Sequence, residues 1–334
     1  MDGVESTDGA TASRAVAELR RMVAASRIDL DETGPSVSVV IPAMNEARNL
    51  PWLAERMPRH VAEIILVDGR SVDDTVEVAR RLWPDVRVVA QTRRGKGNAL
   101  ACGFHAATGD IVVMIDADGS MDPGEIPYFV AALRAGADYA KGSRFTVGGG
   151  SSDITRVRAL GNRALNGLTN HLHGTRYSDL CYGYNAFWRR VLPVLDLDAG
   201  LPGSVSTDRL WGDGFEVETL INIRVHAAGL TIAEVASFET QRLHGVSNLN
   251  AVTDGLRVLR TIEVERRAIR RGERLRHLVQ AVVIDRPQDA PPIEHERYAA
   301  VIDLVALDRE RDLEGDLEDS RGATVHELSR RHAG

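Results

Sequence analysis

Hydrophobic positions change their rhythm several times along the chain, and each change marks an element. Residues 1–11 are polar and read as disordered. Residues 12–27 carry a weak helical stripe of Ala15, Leu19, Met22 and Val23. Short apolar runs then alternate with longer amphipathic ones. Ser36 to Ile41 (SVSVVI) reads as a buried strand, and Val61 to Val67, Val86 to Ala90 and Ile111 to Ile115 (IVVMI) as three more strands. Helices are expected from about Glu46, over about 97–107, and after Ser71-Val72-Asp73-Asp74, where a hydroxyl cap precedes an acid by three residues. This alternation predicts an α/β fold with a mostly parallel sheet and helices on both faces. Beyond Tyr139 the pattern loosens. Residues 147–152 and 200–206 read as loops, 214–229 as a helix and 231–235 as a strand. A helix over 155–173 would place Val157, Leu160, Ala164, Leu165 and Leu168 on or near one face. A long Arg-rich helix is expected from about Leu249 to Leu278, then a tail rich in Pro and charge with a helix near 294–310.

Composition narrows the class. The chain has 334 residues, 43% of them hydrophobic, enough for one large core. No apolar run approaches the ~20 residues that span a bilayer. The N-terminus lacks a basic stretch followed by an apolar one, so no signal peptide is expected. Cys102 and Cys181 form neither a metal pair nor a disulfide framework, which makes the cytoplasm the default compartment. A net charge of −7 argues against wholesale nucleic-acid binding. Of the 41 basic residues only Lys96 and Lys141 are lysines. Arginine-rich codon usage accounts for the scarcity. It does not account for the survivors lying in Gly-Lys-Gly and Lys-Gly-Ser-Arg, where a compact ammonium fits and a planar guanidinium does not.

In open α/β sheets ligands bind beyond the carboxyl ends of the strands. The candidate chemistry lies there. Asp116 and Asp118 follow the IVVMI strand, and residues two apart in an extended chain point the same way. Such a pair of hard oxygen ligands suits Mg²⁺ or Mn²⁺, although Asp-x-Asp alone is common in surface loops. Asp122 in Asp122-Pro123-Gly124-Glu125 reads instead as a helix cap. Asp68 follows the second strand and suits either a nucleotide base or nearby backbone amides. Arg93-Arg94-Gly95-Lys96-Gly97-Asn98 joins a strand to a helix, so Lys96 could meet phosphate at the helix N-terminus. It is neither a Walker loop nor a Gly-x-Gly-x-x-Gly fingerprint. Lys141 to Arg144 and Arg242 to Asn248 could each be a surface loop, and Asp179, Asp213, Glu216 and Glu218 are candidate acids or bases, or solvated caps.

Seven segments occur together in an ordered set that resembles glycosyltransferase family 2 with a GT-A fold, and within it the dolichyl- or polyprenyl-phosphate sugar synthases. They are VVIPAMNE (39–46), VDGRSVDDT (67–75), RRGKGNALACGFHAATGDIVVMIDADGS (93–120), KGSR (141–144), RALGNRALNGLTNHLHG (158–174), DLCYGYNAFWR (179–189) and RLHGVSN (242–248). The resemblance spans roughly residues 36–250. It implies an N-terminal extension (1–35), a GT-A domain (36–248) and a helical, charged C-terminal extension (249–334). It implies an inverting transferase for a nucleotide-diphosphate sugar, with polyprenyl phosphate as acceptor at the cytoplasmic membrane face. A soluble transferase acting on a hydroxyl of a glycan or metabolite is the alternative. A nucleotidyltransferase would need a Gly-rich basic loop where Pro42-Ala43-Met44-Asn45-Glu46 stands. By the same resemblance Pro42, Asn45 and Glu46 line the nucleotide pocket, Asp68 contacts the base and Lys96 lies near the nucleotide. Asp116 and Asp118 organise Mg²⁺ or Mn²⁺ and the diphosphate. Arg144, Arg158 and Arg242 lie near a phosphate, and Asp213 and Glu216 are the candidate bases for a hydroxyl acceptor. A homo-oligomer is left open. Departures include Asp68-Gly69, where many relatives have two acids, and the polar His171-Leu172-His173-Gly174.

Overall fold

The structure, a computed structural model, describes residues 30, 32–201, 203–206, 208–245 and 251–271, with backbone alone at 251 and 252. The helix expected over 12–27, the tail helix near 294–310, the far end of the terminal helix and residues 246–248 of the closing loop lie outside the described residues.

The four strands read from apolar runs all form: β1 (Val37–Ala43), β2 (Glu63–Asp68), β3 (Arg87–Ala90) and β4 (Ile111–Met114). Helices α1 (Leu50–Arg56), α2 (Thr75–Leu82) and α3 (Lys96–Ala106) connect them. α4 (Ile126–Arg134) leads to β5 (Tyr139–Ser143), and the two-residue β6 (Gly150–Ser151) precedes α5 (Arg156–His173). Then come β7 (Asn185–Trp188), the short α6 (Leu192–Leu195), α7 (Val217–Ala227), β8 (Ile232–Ala236), β9 (Phe238–Glu239) and α8 (Ala251–Arg270). The seven-stranded sheet has the order β3-β2-β1-β4-β7-β5-β8. β1 to β4 are mutually parallel where they pair and β8 runs parallel to β5, whereas β7 is antiparallel to β4 and β5.

Strand alternation divides the core into two layers. Val37, Val39 and Ile41 face α1 and α4, while Val40 faces α3 and α7. Ile111 and Val113 face the first layer, Val112 and Met114 the second. Both faces are therefore covered, and the loops after β1, β2 and β4 emerge at one edge.

Three local expectations change. Ser71 does not cap α2. Its hydroxyl accepts from the Asn45 backbone N–H at 3.0 Å, and Asp73 takes the amide of Thr75 at 3.1 Å instead. The stretch 147–152 is not wholly loop, because Gly150–Ser151 pairs with Phe238–Glu239. Lys141 to Arg144 is no surface loop: all four residues are buried. The Lys141 ammonium donates to the carbonyls of Gly142 and Tyr182 at 3.1 and 3.4 Å, and burial lowers its pKa.

α5 forms as the apolar period predicts, capped by Thr155, which accepts from the Arg158 N–H, and closed by left-handed Gly174. Its orientation is the unexpected part. The fully buried positions are Asn162, Asn166 and Thr169, while Val157, Leu160, Ala164 and Leu168 are exposed. Asparagines four residues apart explain this. Asn162 donates to the Asp179 carboxylate at 2.9 Å, Asn166 accepts from the Leu180 N–H at 2.6 Å, and Asn170 accepts from the Tyr177 N–H at 2.9 Å. This ladder, with Leu165 and Leu172 beside it, holds the helix to the 177–180 segment.

Candidate functional site

The sheet edge beyond β4 gathers two half-buried charge clusters. Asp116 lies two residues past the strand, and the Lys96 ammonium at the start of α3 meets its carboxylate at 2.7 Å. Lys96 also reaches Glu218 at 2.9 Å, in the first turn of α7. Asp118 is met by the Arg242 guanidinium at 2.8 Å, and the same guanidinium reaches Glu46 at 2.9 Å. The other oxygen of Asp118 accepts from the Ser120 N–H at 2.9 Å and the Ser120 hydroxyl at 2.6 Å. Asn49 hydrogen-bonds Glu46 and donates to the His244 carbonyl at 3.2 Å, tying the loop after β1 to the closing loop.

Each cluster is one cation between two carboxylates, so each carries one negative charge when fully ionised. The electrostatics reflect that. Burial opposes the Lys96 charge, but Asp116 and Glu218 outweigh it and raise the pKa of the ammonium. Burial raises the pKa of Glu218, which shares its single cation with Asp116. Glu46 is raised by burial in the same way, despite Asn49 and Arg242. The two surplus negative charges together equal the charge of one divalent cation. Two carboxylates with the remaining positions left to phosphate oxygens and water are a common donor set for Mg²⁺ and Mn²⁺. No cluster of three or more metal-ligating side chains occurs among the described residues, so Asp116 and Asp118 fit such an ion only together with a substrate.

Residues 38–195 match the family described as Glycosyl transferase family 2. Polyprenol monophosphomannose synthase of Mycolicibacterium smegmatis is 32% identical over 222 residues, covering 64% of this chain and 80% of that protein. The chain belongs to glycosyltransferase family 2. A Mycobacterium tuberculosis protein described as an uncharacterised glycosyltransferase is 44% identical over 116 residues, 35% of this chain. The chain spans about half the length of that relative (52%). Among solved structures, glucosyl-3-phosphoglycerate synthase from Mycobacterium tuberculosis, in complex with Mn²⁺, UDP and glucosyl-3-phosphoglycerate, superposes with a TM-score of 0.54. It is 26% identical, covering 71% of this chain and 82% of that one. The expected GT-A fold is thereby established.

Within this family 2 fold the residues singled out from sequence fall into two groups. Asp116, Asp118, Lys96, Glu46 and Arg242 converge as described. Asn45 stands beside them in a left-handed conformation (φ 61°), its side chain accepting from the Val72 N–H at 2.8 Å. Asp68 ends β2, pairs in register with Ala43 and accepts from the Ser71 N–H at 3.1 Å. Pro42 lies opposite Val67 in the same ladder. These residues shape the gap between the loops after β1 and β2.

The second group is occupied elsewhere. Arg144 is buried, forked onto Asp179 at 2.7 and 3.0 Å and onto Glu239 at 2.9 Å, and its charge is held by those acids against burial. Three of its five N–H donors are engaged with these two acids, and the side chain is buried. Asp213 is forked by Arg93 at 2.8 and 3.0 Å and accepts from the Leu210 N–H at 2.7 Å. Glu216 accepts from the amides of Gly212 and Gly214 and is buried. Both acids hold the loop that abuts Gly97, whose N–H donates to the Asp213 carbonyl at 2.9 Å; both oxygens of Asp213 are taken, while the second oxygen of Glu216 has no hydrogen-bond partner. Arg158 pairs with Asp153 at 3.0 Å and is partly exposed at the start of α5. Asn49 joins these clusters and was not singled out from sequence, whereas Glu218 was named there only as a possible acid or base. Glu218 lies in the first turn of α7, where a carboxylate suits the helix dipole.

Proposed function

We propose that this family 2 enzyme moves a sugar, with inversion, from a nucleotide-diphosphate sugar to polyprenyl phosphate at the cytoplasmic face of a membrane. One observation carries the acceptor class: of the two candidate bases for a hydroxyl acceptor, Asp213 is forked by Arg93, and Glu216 is buried with one oxygen on backbone amides. An acceptor that is already a phosphate anion needs no such base. The relative named polyprenol monophosphomannose synthase supports the lipid form of that anion.

Divalent metal is part of the proposal. Structures of the glucosyl-3-phosphoglycerate synthase contain Mn²⁺ or Mg²⁺ with UDP, and Asp116 with Asp118 would hold such an ion here. When bound it neutralises charge on the departing diphosphate. The side chains supply the rest. Lys96 and Arg242 exchange carboxylate partners for diphosphate oxygens as the donor enters. Glu218 and Glu46 keep each cation tethered at the cleft. The loops carrying Asn45 and Asp68 orient the nucleoside. An acceptor phosphate oxygen then forms the new bond to the anomeric carbon as the bond from that carbon to the diphosphate oxygen breaks. The electron pair leaves with the nucleoside diphosphate.

Transfer to a hydroxyl of a soluble metabolite, such as that of phosphoglycerate, is the second reading, supported by the solved neighbour with its glucosyl-3-phosphoglycerate. Radiolabelled UDP- and GDP-sugars offered with short polyprenyl phosphate, or with 3-phosphoglycerate, separate the two. Label entering organic solvent supports the lipid acceptor, and label confined to a water-soluble product overturns it. Asp118→Ala is expected to abolish transfer while the fold survives. Undiminished transfer by that variant would refute the role of the aspartate pair.

A further inference from the structure

We infer that Arg70 reads the nucleotide base, and that with Asp68 it selects guanine, so that the donor is a guanosine-diphosphate sugar. The inference rests on the nucleotide-sugar reading above and supplies its base. Among the described residues only Asn45, Arg70 and Asp196 combine a side chain with a positive φ. Asn45 (φ 61°) lies in the loop after β1 and Arg70 (φ 64°) in the loop after β2. Asparagine tolerates the left-handed region, whereas arginine there costs free energy that glycine would not. The surroundings hold the turn in place. The Gly69 N–H donates to the Ala43 carbonyl at 2.7 Å, the Asn45 N–H to the Ser71 hydroxyl at 3.0 Å, and the Val72 N–H to the Asn45 side chain at 2.8 Å. A Cβ at position 69 would lie 2.9 Å from the Met44 Cβ, so the two loops are already in close contact. Strain maintained in this way clusters at ligand sites.

The Arg70 side chain has donors to spare. It is half-buried, and one guanidinium N–H meets the Ser206 carbonyl at 3.4 Å, a long bond to a neutral acceptor. Ser206 is itself strapped to the end of β3, its N–H donating to the Thr92 carbonyl at 2.9 Å. Arg93, in the same region, is already forked onto Asp213, whereas among the described residues no carboxylate pairs with Arg70. Asp68 matches it from the other side. One of its oxygens accepts from the Ser71 N–H at 3.1 Å, and no cation pairs with it among the described residues. A carboxylate and a guanidinium two residues apart thus stand at one strand end without pairing with each other. Met44, 46% exposed beside Gly69, adds an apolar surface next to them. Guanine fits this set. Its N1–H and N2 amino group donate to a carboxylate, and its O6 and N7 accept from an arginine fork. Uracil offers a single N–H between two carbonyl oxygens, which a carboxylate repels. Adenine puts an amino group where the fork needs an oxygen.

The test is calorimetric titration of the full chain with GDP, UDP, inosine diphosphate and 7-deaza-GDP, each in the presence of Mn²⁺. Wild type is expected to bind GDP about tenfold or more tightly than UDP. It should also bind GDP more tightly than 7-deaza-GDP, which lacks N7, and than inosine diphosphate, which lacks the N2 amino group. Arg70→Gly keeps the left-handed turn without its strain, so the thermal midpoint should hold or rise. That variant should bind GDP about tenfold more weakly, with UDP little changed, and should no longer distinguish GDP from 7-deaza-GDP. Arg70→Lys should not restore the distinction, because an ammonium cannot fork onto O6 and N7. Asp68→Asn should narrow the gap between GDP and inosine diphosphate. A lower midpoint in Arg70→Gly, with GDP and UDP weakened alike, would make Arg70 a tether for Ser206 and overturn the proposal. Equal or tighter binding of UDP by wild type overturns it too, while leaving the nucleotide-sugar reading intact. Binding of neither nucleotide overturns both.

Discussion

Replacing Arg144 by methionine separates a phosphate-binding role from a structural one. The guanidinium is buried, stacked 4.8 Å over the Tyr182 ring, and makes three ion-paired hydrogen bonds to Asp179 and Glu239. Asp179 is wholly buried and keeps only the Arg144 N–H and the Asn162 amide once the guanidinium is gone. Glu239 keeps the Ser151 hydroxyl at 2.6 Å. Methionine fills much of the volume but removes the paired cation from both carboxylates, leaving Asp179 only the more distant charge of Lys141. Removing one partner of a buried pair costs about 3–5 kcal/mol. In a domain of this size that corresponds to a fall in thermal midpoint of about 6–20 °C. Arg144→Lys should recover little of it, since a point charge cannot fork onto Asp179 and reach Glu239 together. Adding Asp179→Asn to Arg144→Met should restore part of the loss. Calorimetry gives the midpoint, and titration with Mn²⁺ and UDP or GDP, below the variant's transition, gives the affinity. The expected result is a large loss of stability with nucleotide affinity within about threefold of wild type. An unchanged midpoint with nucleotide binding lost would refute the reasoning and return Arg144 to the ligand.

Gly97→Ala places a Cβ 1.7 Å from the Gly212 carbonyl oxygen, so the 212–214 loop must move; loss of several °C in thermal midpoint is expected, checked by calorimetry. Glu218→Gln leaves Lys96 with Asp116 alone, so a metal must compete harder for that aspartate. Mn²⁺-dependent UDP or GDP binding should weaken about tenfold, and unaltered affinity would remove Glu218 from the site. His173 contributes a pH dependence. Its ring donates to the Ile262 carbonyl at 3.0 Å, and burial lowers its pKa below 6.5 in the folded protein. The unfolded chain then binds the proton more readily. The contribution is present above pH 6.5 and is lost as pH falls through 6.5 toward the lower folded pKa. His173→Gln should flatten the dependence of the thermal midpoint on pH across that window, and an unchanged slope would exclude His173 as its source.

Legibility differed between the two kinds of pattern. Strands β1 and β4 were readable because a strand buried on both faces needs a short, mostly apolar run, and SVSVVI and IVVMI are that. Asp116 and Asp118 were readable because the strand end places them, whatever else the fold does. Glu218 was not readable as a member of the site. Its partner Lys96 lies more than a hundred residues earlier, and only the packing of α7 against the start of α3 joins them. Arg144 and Asp213 show the converse: acids and arginines near a cleft look alike on paper, and only the fold shows that these two are paired with Asp179 and Glu239, and with Arg93.

The α5 helix makes the limit of periodicity explicit. A 3.6-residue period reports that one side of a helix is apolar and says nothing about which way that side faces. The usual inference that it faces the core rests on water being the only other choice. In α5 the decision is taken by polar side chains. Asn162, Asn166 and Asn170 match the donors and acceptors of residues 177–180 residue by residue, and rotating the helix to bury Leu160 would strand both the asparagines and the 177–180 backbone. Unmade buried hydrogen bonds cost about 1–3 kcal/mol each, as much as burial of one leucine returns. The ladder therefore outweighs the apolar stripe. The stripe is left outside.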